Sequence, residues 1–326
     1  CFDFEIKRSK INLFYELKLI IKLRLLLKSY KPDILYLITL KPILYGSLVD
    51  FFNFKKYIKI YAVTGLGYVF MNKKVFFKRF IIKMIFKFLL NSKNSFFVFQ
   101  NNDDKSTIGK YVNIENKHVL VKGVGVDHKI FKIDSERNNN KINILFPARM
   151  VKDKGFYEYV LAAQKLLIKY KGKIRFYLAG GIDNESACGI SEKEVFKYCD
   201  QKSIIWLNHQ SNMKKTLLNI DIVCLPSYGE GLPKALVEGM AMSCAIIATD
   251  VPGCRECVND GFNGFLVKPQ NFLDLANKLE ILINDKPLIK KMGSNSRKLF
   301  LDQMTQKKSI TSNINFINKI YYDTRK

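Results

Sequence analysis

Residues 227–239 read Ser-Tyr-Gly-Glu-Gly-Leu-Pro-Lys-Ala-Leu-Val-Glu-Gly, setting two carboxylates, Glu230 and Glu238, with seven residues between them. Glu230 falls on a glycine-flanked turn, and Glu238 in the second turn of a helix that opens at Pro233. Proline suits the first helical position, where its missing N–H would have had no partner. A helix start presents free N–H groups and a partial positive charge, which favour an anion such as a diphosphate. Carboxylates accept charge-assisted hydrogen bonds from hydroxyls. The block therefore suits a ligand with hydroxyl-bearing rings and a diphosphate, Glu230 reaching a sugar and Glu238 a ribose diol. Glutamates near a helix start also occur for dipole reasons alone, so the spacing needs its surroundings to carry weight.

A second block has matching chemistry. Pro147-Ala148-Arg149-Met150-Val151-Lys152-Asp153-Lys154-Gly155 leads into a helix expected near 156–170. Arg149 can fork onto a diphosphate, Lys154 can add a point charge, and the helix start can add N–H donors. A loop of mixed charge can equally be plain surface.

Both blocks lie where a strand gives way to a helix. Ile142–Phe146 precedes one and Ile220–Leu225 the other, each a short apolar run of strand length. Further strands are expected at Ile34–Ile38, Tyr57–Val63, Ser95–Phe99, Ile174–Leu178 and Ser203–Leu207. Alternation with helices predicts an α/β fold with parallel sheets, whose strand ends line the binding crevice. Thr64-Gly65-Leu66-Gly67 is such a strand end, and Asn208-His209-Gln210 another. The polar stretch 134–141, with three consecutive asparagines, reads as a linker, giving domains over 1–133 and 142–304 and a terminal helix in 305–326.

The run from Leu225 to Val267, including Ile-Ile-Ala-Thr-Asp-Val-Pro-Gly-Cys-Arg-Glu and Asp-Gly-Phe-Asn-Gly-Phe-Leu-Val, resembles the donor-site block of glycosyltransferase family 4. Weaker similarity extends from about Lys31 to the C-terminus. The resemblance implies a GT-B fold of two Rossmann-like domains facing a cleft, and transfer of a sugar with retention from a nucleotide donor. It implies catalytic roles for Glu230, Arg149 and Lys154, with the leaving diphosphate stabilised electrostatically. Donor contacts are implied for Glu238, Gly231, Leu232, Pro233, Ser227 and His209, the last beside the base, and acceptor-side roles for Thr64, Gly65 and Gly67. Relatives begin with a strand and a glycine-bearing loop ahead of the segment matching Lys31, so the first domain is expected to be incomplete. The donor is expected to be a UDP-hexose or UDP-N-acetylhexosamine, and the acceptor a polyprenyl-linked saccharide of capsule, O-antigen or glycoprotein assembly. The resemblance also implies that the last helix crosses back to the first domain. An inverting transferase would need an acceptor-side base, which Thr64–Gly67 does not offer; a non-catalytic, membrane-associated binding fragment is the other alternative.

Composition narrows the remaining classes. At 326 residues and 48% hydrophobic, the chain can bury two ordinary cores. The net charge of +25 comes from 45 Lys and nine Arg, and no zinc-finger, RNP-like or helix-turn-helix pattern accompanies it, which argues against nucleic acid. Basic residues instead lie beside bulky apolar ones in expected helices at 13–29 and 73–90, a pattern suited to an anionic membrane surface. No uncharged apolar run is long enough to span a bilayer, so a cytoplasmic protein, peripheral on the inner face of the plasma membrane, is expected. Cys254-Arg255-Glu256-Cys257 stands without a second pair at zinc spacing. No Asp-x-Asp or Walker pattern is present, so no metal or other cofactor is expected.

Overall fold

The computed structural model describes residues 13–52, 57–66, 84, 86–133, 137 and 139–324. They form two compact units, one of residues up to Val121 together with Ser312 onward, the other of Lys122–Thr311.

The first unit runs α1 (Leu13–Tyr30), β1 (Ile34–Ile38), α2 (Leu40–Phe51), β2 (Ile58–Val63), β3 (Ser95–Phe99), α3 (Asn102–Gly109) and β4 (His118–Leu120). Its four strands are parallel, in the order β1-β2-β3-β4. Side chains alternate across the pleat. Tyr61, Val63, Phe97 and Phe99 therefore pack with Ile43, Phe86 and Leu90, whereas Ile60, Ala62 and Val98 meet Phe316, Ile317 and Ile320 of the last helix. Thr39-Leu40-Lys41-Pro42 reads in the sequence as polar punctuation at the end of a strand, yet α2 begins there. A proline in a helix's first turn lacks only an N–H that no carbonyl awaits.

The second unit runs β5 (Ile142–Phe146), a 3-10 turn (Lys152–Lys154), α4 (Phe156–Tyr170), β6 (Ile174–Leu178), α5 (Glu192–Tyr198), β7 (Ile204–Trp206), α6 (Met213–Leu217), β8 (Ile222–Leu225), α7 (Lys234–Ala241), β9 (Ala245–Thr249), β10 (Gly264–Val267), α8 (Phe272–Asn284) and α9 (Lys286–Gln303). The last helix, α10 (Gln306–Asp323), starts in this unit and ends in the other. The six strands are parallel, in the order β10-β9-β8-β5-β6-β7. Successive strands are added on one side of β5 up to β7 and then on the other from β8, so the order reverses between β5 and β8, where Ile144 pairs with Ile222. Ligands of open α/β sheets bind outside the strand ends at such a reversal.

Two boundaries differ from the sequence reading. Residues 122–133 pack with the second unit, because Val126 joins its core and bridges to Thr305. Within 134–141, Arg137 donates to the Leu218 and Ser243 carbonyls at 3.1 and 3.0 Å, and Asn139 to the Asn219 carbonyl at 3.0 Å. These polar residues serve as ties to carbonyls that follow α6 and α7, a use that composition alone does not reveal.

Candidate functional site

The loops after β5 and β8 meet at the strand-order reversal. Gly155, at φ +81°, lets them touch: a Cβ there would lie 2.1 Å from the Pro226 carbonyl oxygen. Across this contact Tyr228 N–H donates to the Asp153 carbonyl at 2.8 Å, and Lys154 Nζ lies 2.6 Å from Glu230 Oε1. The side chains of Lys154 and Glu230 keep 23% and 12% of their exposure, so the pair is sheltered yet reachable. Gly253, at φ +78°, supports the loop from beneath, since a Cβ there would lie 2.4 Å from the Gly231 carbonyl oxygen.

Glu238 lies on the inner side of α7 and is 7% exposed. Burial raises its carboxyl above the ordinary range, and Lys234, 3.3 Å away, offsets part of that rise. Such a carboxylate gains from two hydroxyl donors. Glu238→Ala should weaken binding of a nucleoside diphosphate about 10- to 100-fold, read by titration calorimetry; each charge-assisted hydrogen bond is worth about 1.5–3 kcal/mol. Unchanged affinity would remove Glu238 from the site.

Arg149 is held by a different route. The segment after β5 is zipped to the loop after β6, with Met150 N–H on the Gly181 carbonyl, Ile190 N–H on the Met150 carbonyl and Lys152 N–H on the Cys188 carbonyl. That places Asp183 against Arg149 in a salt bridge. The guanidinium remains half exposed, with N–H groups to spare for an anion. Asp183 was not legible as a partner, although a polar residue on the loop after β6, the strand beside β5, is the signal that could have found it.

Two sequence assignments change. Ser227 is fully buried and its hydroxyl donates to the Asp153 and Gly229 carbonyls, so it pins the loop rather than facing a ligand. Pro233 is the residue before α7 and not its first, with extended ψ of 109° and no side-chain cap at that helix start. Leu232 packs its side chain on Gly123, a Cβ there lying 2.6 Å from Leu232 Cδ2, so any contact to a sugar falls to backbone. His209 is exposed on the loop after β7, beside Gly181. Tyr228 was missed: its hydroxyl donates to Glu158 on α4 at 2.8 Å, adding a tie across the two loops. In the first unit Thr64 and Gly65 follow β2, half-buried; Gly67 lies outside the described residues. Cys254 and Cys257 are buried free thiols, both raised by burial. Among the described residues no three His, Cys, Asp or Glu side chains are grouped as metal ligands.

Residues 127–299 match the family described as glycosyl transferases group 1, and residues 2–101 match glycosyl transferase 4-like. The chain belongs to the group 1 glycosyl transferases. It is therefore a transferase, of family 4 and GT-B fold. It is 28% identical over 311 residues to the N,N'-diacetylbacillosaminyl-diphospho-undecaprenol alpha-1,3-N-acetylgalactosaminyltransferase of Campylobacter jejuni, matching 90% of this chain and 79% of that protein. It is 27% identical to the capsular polysaccharide biosynthesis glycosyltransferase CapM of Staphylococcus aureus, over 89% of this chain and 78% of CapM. In structure this glycosyltransferase resembles Anabaena HepE in complex with UDP, at a TM-score of 0.76 and 16% identity, covering 94% of this chain and 82% of HepE. Sucrose-phosphate synthase of Thermosynechococcus elongatus gives 0.78, again at 16% identity, over 96% and 81% of the two chains. At that identity both likenesses concern the fold.

Proposed function

We propose that the chain transfers a hexose or N-acetylhexosamine, with retention at the anomeric carbon, from a UDP-sugar to a lipid-linked saccharide in surface polysaccharide or glycan assembly. The observation that carries this reading is the Lys154–Glu230 pair at the strand-order reversal, with the α7 start and Arg149 nearby in sequence and fold. The costly step is bringing negative charge onto the leaving diphosphate. Fixed cations and helix N–H groups in a sheltered site meet that charge at little reorganisation cost. Glu230 is then the sugar's partner and Glu238 the ribose's. The leaving phosphate accepts the acceptor's proton, so neither an enzymic base nor a resident metal is required by the scheme. HepE is known in complex with UDP, and the Campylobacter relative is named for an undecaprenyl-diphosphate acceptor; both support the reading. On the acceptor side the reading places Thr64, Gly65 and Gly67.

The test is incubation with a panel of nucleotide sugars and an undecaprenyl-diphospho-saccharide, following nucleotide diphosphate release and the anomeric configuration of the product by NMR. An α-linked product from an α-linked UDP-sugar supports the reading. Inversion, or nucleotide binding without transfer to any acceptor, would replace it with one of the two alternatives named above.

We also propose peripheral docking on an anionic membrane through α1. Phe14, Leu17, Ile21 and Leu25 are exposed and recur at helical spacing on one side, with exposed Lys18, Lys22, Arg24 and Lys28 beside them. The opposite side packs Leu19 and Leu27 inward, and Glu16 bonds Lys41 at 2.8 Å. The basic stretch 73–90 lies largely outside the described residues, and no described helix is long and apolar enough to cross a membrane. Cosedimentation with phosphatidylglycerol-containing vesicles is expected at low salt, and its loss with phosphatidylcholine alone, at high salt, or in Ile21→Glu/Leu25→Glu. Equal sedimentation of that variant with the anionic vesicles would count against α1.

A further inference from the structure

Two segments far apart in sequence flank the Glu230–Leu232 loop. The first follows β9. Gly253 there comes so close that an added Cβ would lie 2.4 Å from the Gly231 carbonyl oxygen and 2.7 Å from that of Glu230. Onward to Glu256 the chain is wound into turns, with Arg255 N–H on the Val251 carbonyl at 3.2 Å and Cys257 N–H on the Cys254 carbonyl at 2.9 Å. The second segment is the run 122–126 that opens this unit. Gly123, at φ +65°, lies against Leu232, an added Cβ falling 2.6 Å from Leu232 Cδ2. At the far end of the run, Val126 N–H donates to the Met304 carbonyl at 3.2 Å, and the Val126 carbonyl accepts from Gln306 N–H at 2.9 Å. At its near end Lys122 forms a salt bridge with Glu256, their side chains keeping 18% and 10% of their exposure. One sheltered ion pair therefore joins the two segments between which the Gly231–Leu232 backbone is held.

We propose that Lys122 and Glu256 are positioning residues for the donor sugar, their salt bridge fixing the spacing of these segments and thereby the selectivity for a hydroxyl's orientation. This rests on the proposed placing of the sugar at the Gly231–Leu232 backbone.

A sheltered pair adds little net stability, because taking two charges out of water offsets much of their attraction. Its contribution here is geometric. Backbone groups held in place reject an epimer because the displaced hydroxyl leaves a sheltered partner unpaired. When the segments drift apart, the backbone adjusts to either epimer, and the correct sugar is presented less well to the acceptor. Binding of the nucleotide runs through other contacts: Arg149, Lys154 and Glu238 pair with Asp183, Glu230 and Lys234.

The full chain is assayed with an undecaprenyl-diphospho-saccharide and two pairs of C4 epimers, UDP-glucose with UDP-galactose and UDP-N-acetylglucosamine with UDP-N-acetylgalactosamine. Lys122→Met/Glu256→Gln removes the pair without leaving a lone sheltered charge. In that variant kcat with the preferred sugar should fall about 10- to 100-fold, and its preference over the C4 epimer about tenfold. UDP affinity by calorimetry and melting followed by Trp206 fluorescence should stay as in the wild type. A pair with only a structural role gives the reverse, wild-type kinetics with a shifted melt, and that result overturns the proposal. Leu232→Ala removes the side chain on which Gly123 bears, so it should lower the epimer preference too, and the two effects should not add. Wild-type preference in Leu232→Ala, or full additivity, also overturns it. Glu230→Ala separates the proposal from the reading beneath. If that variant keeps wild-type kcat and preference, the sugar is not at this loop and the proposal falls with that assignment. If Glu230→Ala lowers them and Lys122→Met/Glu256→Gln does not, the assignment stands and the positioning role alone is wrong.

Discussion

Replacing Lys154 with alanine should lower kcat for sugar transfer by about 10²–10³-fold, the usual cost of removing one preorganised charge-stabilising donor. Lys154 Nζ lies 2.6 Å from Glu230 Oε1, so the lysine has two tasks. In the empty site it neutralises Glu230, which is mostly sheltered; with donor bound it faces the diphosphate as charge develops. Its loss leaves an unpaired carboxylate beside an anion. Lys154→Ala/Glu230→Gln should therefore regain nucleotide affinity without regaining kcat. A fall in kcat that persists in the double variant after nucleotide affinity has returned assigns the lysine to the transition state rather than to ground-state binding. Wild-type kcat in Lys154→Ala would exclude it from the chemistry.

The second large effect is on stability, in the first unit. Lys59 is a lysine in the middle strand run of β2 and is 1% exposed; its ammonium is paired with Asp50 of α2, itself 3% exposed. The other Asp50 oxygen accepts the Tyr57 N–H at 2.9 Å. Breaking a buried pair from one side costs about 3–5 kcal/mol. Lys59→Met keeps the stem and removes the charge, so amide exchange across β2 should quicken by about two to four orders of magnitude. Asp50→Asn/Lys59→Met should recover much of that loss, because both members of the pair are then neutral. Trp206, the single tryptophan, lies in the second unit and gives a separate fluorescence reading of that unit. Exchange in β2 unmoved by Lys59→Met would show that Asp50 finds another partner.

Strands β1, β2, β3, β5, β6, β7 and β8 were legible because parallel strands buried on both faces read as short apolar runs; β4, β9 and β10 were not assigned. Ile142–Phe146 and Ile222–Leu225 show this, and so does Ile58–Val63 despite Lys59. The loops that follow them were legible from chemistry, since glycines, prolines and charges cluster where a strand becomes a helix. What stayed hidden depends on approach through space. The pairing of Arg149 with Asp183, the burial of Ser227 and the tie from Tyr228 to Glu158 are set by how the loops after β5, β6 and β8 cross. Helix α2 was hidden by Pro42, which reads as a breaker although it sits in the first helical turn. Helices α8 and α9 were not assigned, although Asn271 and Asp285 cap them and Pro287 follows the second cap; those residues are ordinary helix-start signals.

A crystal structure of the chain with UDP bound decides whether the strand-order reversal of the second unit is the donor site. The predicted result is a diphosphate within hydrogen-bonding distance of Arg149 and Lys154, with the ribose hydroxyls on Glu238. A diphosphate seated away from both cations, or a ribose that leaves Glu238 with Lys234 alone, contradicts it.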